Sequence, residues 1–327
     1  MERVRLGRSG LEVSPICFGT WQLGGEWGEV DREAAIGAIR KARDLGIDFF
    51  DTAQAYGFGR SERLLAEALG DELSGPGRDA LTIATKGGLR PVEGGVERDC
   101  SPDFIRAGCE ASLEALGVET IDLYQLHWPD PATPLAETGA ALAALRDEGL
   151  IRHVGVSNFD DAQMAELSET IAVETLQPPY HLFERAVEET ALPWCADNDV
   201  GVLAYGPLAH GLLTGAIDRT TEFPAGDWRA ESPMFAEPAL TGNLAIVRQL
   251  AEVADDVGCT LPQLAIAWVL DNPAVQVAIV GSRNADHIAA AVAAAGVTLD
   301  DDSRARIAEI ASKAVGAPGP SPEGNRR

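Results

Sequence analysis

The feature that most restricts what this chain can fold into is a rhythm. Short apolar runs occur at 16–18, 49–50, 81–85, 121–126, 153–156, 174–177, 200–205 and 277–280. They are continuous rather than alternating, the pattern of strands buried on both faces and hence of a parallel sheet. Helical periodicity fills the intervals. Residues 31–45 place Ala35, Ile36, Ile39 and Ala42 on one stripe behind Asp31 as N-cap. Residues 61–69 turn Leu64, Leu65 and Leu69 inward, with Ser61 as the expected cap, and 101–116 opens Ser-Pro-Asp, a capped start with proline in the first turn. Further helices are expected at 134–148, 160–167, 188–198, 261–271 and 284–295. Eight strand-then-helix units in 327 residues favour a closed (β/α)8 barrel over an open sheet. A hairpin around a Gly-Arg-Ser-Gly turn is expected ahead of it at 4–13. A Gly- and Pro-rich loop at 206–240 and added helices at 243–258 and 300–315 complete the pattern. No linker divides residues 1–315, which read as one domain, and 316–327 read as a frayed tail.

Charge and cysteine content limit the function classes. The net charge of −25 repels nucleic acid and anionic membranes at long range. No early apolar run has basic flanks and no apolar stretch has membrane-spanning length, so a soluble, cytoplasmic protein is expected. The five cysteines, an odd number without Cys-x-x-Cys, fit reduced thiols acting as small apolar fillers rather than a disulfide framework or a zinc site.

Active sites of such barrels form where the C-terminal ends of the strands meet. The runs deliver polar residues there: Asp51 with Tyr56 just beyond, Lys86, His127 followed by Trp128, Ser157 and Asn158, Gln177, Tyr205, and then Gly281, Ser282 and Arg283. Singly these have plainer readings. Asp51 fits a turn, His127 a satisfied core histidine, Ser157 and Asn158 helix caps, Tyr205 core packing, and Ser282 with Arg283 a capped helix start beside a solvated charge. Lys86 is harder to set aside. The chain has only Lys41, Lys86 and Lys313, and this one ends an apolar strand, where a buried ammonium needs a counter-charge such as Asp51.

Together the residues suit proton transfer. A phenol titrates near ~10 and is a weak acid at neutral pH, but an adjacent ammonium stabilises its phenolate. A carbonyl between Tyr56 and His127 would be polarised and protonated as it becomes an alcohol. No side chain supplies a hydride, so a nicotinamide or a flavin is required. There is no strand-turn-helix Gly-x-Gly-x-x-Gly, so it is not held as in a Rossmann fold. Ser157, Asn158 and Gln177 could pin a carboxamide, Tyr205 could stack on the ring, and Ser282 with Arg283 could meet a phosphate.

At this point the motifs FDTAQAYGFGRSE, TIATKGG, IDLYQLHWPD, GLIRHVGVSNF, YGPLAHGLLTG and IVGSRN make the chain resemble the aldo-keto reductases over roughly 4–314, with an opening like that of bacterial members. The resemblance implies a (β/α)8 barrel closed below by the N-terminal hairpin, and NADP-dependent, reversible carbonyl reduction. It implies Tyr56 as general acid, Lys86 and Asp51 as its tuning pair, and His127 as the group orienting the carbonyl. The carboxamide would lie on Ser157, Asn158 and Gln177, the nicotinamide face on Tyr205, and the pyrophosphate along backbone of Gly206, Leu208, Gly211 and Leu213. Thr20, Trp21, Gly281, Ser282, Arg283 and His287 complete the candidate cofactor residues. Arg283 points to a 2′-phosphate and so to NADPH, with NADH as the second option. Where the family commonly has Gln and then Asn after the Gly-Ser-Arg segment, this chain has His287 and Ala291. Trp21 and Trp128 would wall a substrate pocket with Tyr56 and His127, and the loop carrying Trp228 would cover cofactor or substrate. Two other readings are a nicotinamide-loaded sensor or channel-associated subunit of the same fold, and a barrel enzyme using Lys86 as a Schiff-base nucleophile.

Overall fold

The computed structural model describes residues 1–25, 30–93, 95–224 and 227–316. Apart from Gly316, the expected tail lies outside them. An N-terminal hairpin pairs β1 (Val4–Leu6) with β2 (Leu11–Val13). The barrel strands are β3 (Ile16–Gly19), β4 (Phe49–Asp51), β5 (Thr82–Gly87), β8 (Ile121–Leu126), β9 (Ile151–Ser157), β10 (Thr175–Gln177), β11 (Gly201–Tyr205) and β12 (Val277–Val280). They close in chain order into an eight-stranded parallel barrel, β12 returning to β3. The fold is the expected (β/α)8 barrel.

Each apolar run became a strand because both its faces are covered. Outward residues such as Phe18, Phe50, Ile83, Tyr124 and Val156 pack under the helices. Inward ones, Cys17, Phe49, Ala84, Leu123, Leu203 and Val277, fill the barrel against Leu6 and Val13 of the hairpin. The hairpin thus plugs the N-terminal end and leaves the mouth to polar groups. Cys17, Cys100, Cys109 and Cys195 are buried. Burial pushes the last three thiols up to about 12, so they pack as unreactive small groups.

The helices are α1 (Arg32–Asp44), α2 (Arg60–Leu69), α3 (Asp71–Ser74), α4 (Pro102–Leu116), α5 (Leu135–Asp147), α6 (Asp161–Ser168), α7 (Ala191–Asp197), α8 (Ala239–Val257), α9 (Leu261–Asp271), α10 (Ala285–Ala294) and α11 (Asp301–Ala311). Asp31 caps α1 as expected, accepting from the Ala34 amide. Ser61 does not cap α2. Gly59, at φ 87°, takes the N-cap position, and Ser61 lies inside the first turn with its hydroxyl donating to the Thr20 carbonyl at 3.0 Å. Two antiparallel strands, β6 (Leu89–Val92) and β7 (Gly95–Arg98), follow β5 and were not expected. The 206–240 segment is less open than its composition suggests: Leu212, Leu213, Met234 and Phe235 are buried in a second apolar cluster with α8 and α9. Among the described residues no single helix is long and apolar enough to cross a membrane.

Candidate active site

The mouth is built from strand register. Asp51 lies opposite Ala84, Lys86 opposite Gln125, and Ser157 opposite Gln177. Asp51 and Lys86 are 2% and 1% exposed. The Lys86 ammonium has three donors, and Nζ lies within hydrogen-bond distance of three oxygens: Asp51 Oδ1 at 2.6 Å, the Thr52 carbonyl at 2.9 Å and Tyr56 Oη at 3.3 Å. Burial alone would lower the lysine pKa. Asp51 and Tyr56 outweigh it and hold the ammonium above the usual lysine value. A permanent charge is therefore fixed in a dry site against a carboxylate and a phenol.

The loop that carries Tyr56 is tied down on both sides. The Gln54 amide donates to the Lys86 carbonyl at 3.1 Å, and the Gly59 amide to the Gln54 carbonyl at 2.9 Å. The Ser61 amide, already in α2, donates to the Tyr56 carbonyl at 3.2 Å. Trp21 lies nearly parallel to the Tyr56 ring with centroids 6.4 Å apart, and His127 meets it edge-on at 5.6 Å. Burial, and then Lys86, push the His127 pKa well below 6.5, so the imidazole is neutral across the ordinary pH range. It can donate a hydrogen bond but is not a reservoir of acid. Trp128 is half-buried, with the Arg98 guanidinium of β7 over its ring at 5.0 Å. Asp51, Tyr56, Lys86 and His127 are thus brought together, with Trp21 beside Tyr56.

The adjoining strand ends form a second polar group. Asn158 is held in the left-handed region at φ 62°. Its Nδ2 donates to the His127 carbonyl at 3.0 Å and to Ser157 Oγ at 3.1 Å, while Oδ1 accepts from Tyr205 Oη at 2.9 Å. Ser157 Oγ donates to the Gln177 carbonyl at 2.8 Å. Gln177 differs from expectation: its Nε2 turns inward to Asp51 Oδ2 at 2.9 Å, so only its acceptor end remains for a ligand. The Thr20 hydroxyl is also engaged, donating to the Asp51 carbonyl at 3.2 Å from a fully buried position. That bond ties the ends of β3 and β4.

Beyond Tyr205 the backbone takes left-handed values at Gly206 (70°), Ala209 (48°), His210 (57°) and Gly211 (103°). Backbone of this kind can turn amides towards an anion, although the Ala209 and Gly211 amides already donate to the Gly206 and Leu208 carbonyls at 2.9 and 3.0 Å. Leu208 and the buried Leu213 bracket the segment, with the Leu213 amide donating to the Leu208 carbonyl at 3.1 Å. After Gly281, Ser282 Oγ accepts from the Asn284 amide at 3.0 Å and sits 3.4 Å from His287 Nδ1. Asn284, not Ser282, caps α10. Arg283 and His287 are exposed there, whereas Ala291 faces the core.

Some residues of the site escaped the sequence reading. Gln125 is fully buried and donates to Asp51 Oδ2 at 3.1 Å. It lies two residues before His127 on the inward face, and that parity could have found it. Glu62 is also fully buried and accepts from Thr85 Oγ1 at 2.6 Å; burial raises its carboxyl pKa. Its signal is a carboxylate on the stripe of Leu65 and Leu69. His181 and His210 pack edge-to-face at 5.6 Å beside the 206–211 turns. Among the described residues no cluster of three or more His, Cys, Asp or Glu is placed to hold a metal ion.

Known proteins share this arrangement of elements. The model of the Aldo/keto reductase family matches residues 15–312. Aldo-keto reductase YhdN of Bacillus subtilis is 38% identical over 320 residues, covering 97% of this chain and 96% of that protein. The NADH-specific methylglyoxal reductase of Escherichia coli is 33% identical over 327 residues, covering 95% and 98%. The structure of glycerol dehydrogenase AKR11B4 from Gluconobacter oxydans superposes with a TM-score of 0.88 at 37% identity, covering 97% of each chain. That of aldo-keto reductase AKR11C1 from Bacillus halodurans, in its holo form, gives 0.80 at 29%, covering 96% and 98%. With a family match across nearly its whole length, a closed parallel barrel and relatives above 30% identity, the chain belongs to the aldo/keto reductase family.

Proposed function

We propose that the protein reduces small aldehydes and ketones to alcohols, reversibly, with a nicotinamide dinucleotide as hydride source and Tyr56 as proton donor. The observation that carries this reading is the buried Lys86 ammonium, within hydrogen-bond distance of both Asp51 and Tyr56 Oη while neutral His127 meets the same ring edge-on.

A carbonyl oxygen near Tyr56 Oη would accept a hydrogen bond from the phenol and a second from His127. Both strengthen as negative charge grows on that oxygen. The Tyr56 proton moves to the oxygen, and the resulting phenolate faces Lys86, whose charge Asp51 keeps in place. In the oxidative direction the phenolate takes the proton back. Trp21, whose ring lies along that of Tyr56, would wall the phenol from water, and Trp128, next to His127 in the chain, would extend that wall.

The residues present fit a nicotinamide cofactor. The acceptor end of Gln177 and the Asn158–Ser157 pair suit a carboxamide, Tyr205 a flat ring, and the left-handed turns at 206–211 a pyrophosphate. When bound, such a cofactor supplies the hydride to the carbonyl carbon. Arg283, exposed at the entry to α10 with Ser282, favours a 2′-phosphate and hence NADPH. The Escherichia coli relative is NADH-specific, so NADH stands beside NADPH as the second option.

The test is consumption of NADPH and of NADH with a panel of aldehydes, ketones and dicarbonyls. Turnover that is faster with NADPH is expected. Tight cofactor binding without turnover of any carbonyl would replace this reading with a nicotinamide sensor. Trapping of substrate on Lys86 by borohydride would replace it with Schiff-base chemistry.

A further inference from the structure

Lys86 contacts one oxygen of Asp51, and the other oxygen raises a separate question. A buried carboxylate needs donors on both sides. Asp51 Oδ2 receives two, Gln125 Nε2 from β8 at 3.1 Å and Gln177 Nε2 from β10 at 2.9 Å. Gln177 Nε2 also lies 3.3 Å from Gln125 Oε1, so the two amides form a short chain ending on the carboxylate. We infer that Gln125 is a positioning residue of the proton-donating group: its amide, held on Asp51 Oδ2, keeps Oδ1 alone facing Lys86 and so preserves the contact between Lys86 and Tyr56.

The alternative geometry shows why this matters. Nζ lies 2.6 Å from Asp51 Oδ1 and 3.3 Å from Tyr56 Oη, so the phenol has the weaker hold on the ammonium. A carboxylate that loses a donor on Oδ2 gains by turning both oxygens towards the nearest cation. That turn draws Nζ away from Tyr56. The Gln125 amide opposes it without adding charge, which a lysine or arginine at the same place would do.

The barrel also makes room for this side chain. Gly155 lies opposite Gln125 on β9. A Cβ at Gly155 would come within 3.0 Å of Gln125 Cγ and 2.2 Å of Thr175 Oγ1. The stem of Gln125 therefore crosses a position that has no side chain of its own. Register, glycine and amide chain together set this residue against Asp51.

The inference rests on the reading of Tyr56 as proton donor, and its test reads the phenol without substrate or cofactor. The chain has four tyrosines. Burial pushes Tyr124, Tyr180 and Tyr205 well above the ordinary phenol value. The contact of Tyr56 Oη with the Lys86 ammonium predicts that Tyr56 gives the first tyrosinate in an alkaline ultraviolet titration, and loss of that transition in Tyr56→Phe assigns it. Gln125→Met keeps the length and removes the donor. Its Tyr56 midpoint should rise by about half a pH unit or more, a fraction of what one hydrogen bond to a charged group supplies. Gln125→Asn withdraws the amide by one methylene and should shift the midpoint in the same direction; it serves if the Met variant does not fold. An unchanged midpoint in a folded Gln125 variant, with only a lower melting temperature, overturns the inference and leaves Gln125 as packing. An early transition that survives in Tyr56→Phe overturns it as well. Turnover retained by Tyr56→Phe sinks the proposed function instead, and the titration still decides the role of Gln125.

Discussion

The barrel buries an aspartate near each end, and the two are held in opposite ways. Asp122 lies near the start of β8, at the hairpin-plugged end. It pairs with Arg78 at 2.6 Å and Arg152 at 2.8 Å, and accepts the Ile83 amide at 2.9 Å. Both guanidiniums reach partly into solvent, with side chains 15% and 47% exposed. Asp51, at the mouth, has one cation whose side chain is fully buried, and two neutral amides. At the base, two planar forks lock the carboxylate, and no donor is directed to a titrating group. At the mouth, a compact ammonium with three donors spans a carboxylate, a carbonyl and a phenol. Charge is balanced at the base for stability alone, whereas at the mouth it is balanced in a way that also acts on Tyr56.

Matched substitutions test that contrast. Lys86→Met leaves Asp51 buried without a cation. Removing one partner of such a pair costs about 3–5 kcal/mol, read by denaturant unfolding, and turnover should fall by about 100-fold or more. Arg78→Met leaves Asp122 with Arg152 and the Ile83 amide. Stability should drop by about 1.5–3 kcal/mol, with turnover per folded molecule unchanged. Equal losses of turnover in the two variants would erase the distinction between the ends.

A smaller effect follows from the histidines around the mouth. His127 and His181 are held well below 6.5, and His210 is pushed down to about 4, burial being the first cause for all three. Below pH 6.5 the unfolded chain binds protons at these positions before the folded one does. Their contribution to stability is therefore complete above that pH and is lost as pH falls towards the folded values. Each costs up to about 1.4 kcal/mol per pH unit in that window. His127→Gln should flatten the fall of stability between pH 6 and 5 by about one such increment, measured by urea unfolding. A slope unchanged by the substitution would mean His127 is protonated in the folded protein and contributes charge to the mouth. The smallest effect concerns the far end of the cofactor site. Arg283→Ala should weaken NADPH by about tenfold and NADH very little, by equilibrium fluorescence titration; equal changes would remove the phosphate assignment.

Much of the mouth was legible because a parallel barrel exports its strand ends to one face. Once the apolar runs are recognised, Asp51, Lys86, His127, Asn158 and Tyr205 must converge, and the rarity of lysine marks Lys86. What escaped depends on partners far away in sequence. No local pattern shows that the Gln177 amide turns its donor to Asp51, 126 residues away. Ser61 has the composition of a helix cap, yet Gly59 adopts the left-handed conformation and takes its place. The β6–β7 pair carries Arg90, Pro91, Glu93 and Glu97 within a few residues, all four exposed, so it has no apolar alternation to announce it.

Tyr56→Phe separates proton donation at the mouth from its architecture. Its carbonyl-reduction rate should be measured at saturating NADPH, alongside the dissociation constant of the cofactor. Turnover should fall by about 100-fold or more with cofactor affinity within about twofold of the parent protein. Turnover retained without the phenol would contradict Tyr56 as proton donor. Joint loss of turnover and cofactor binding would mean that Tyr56 holds the mouth together instead.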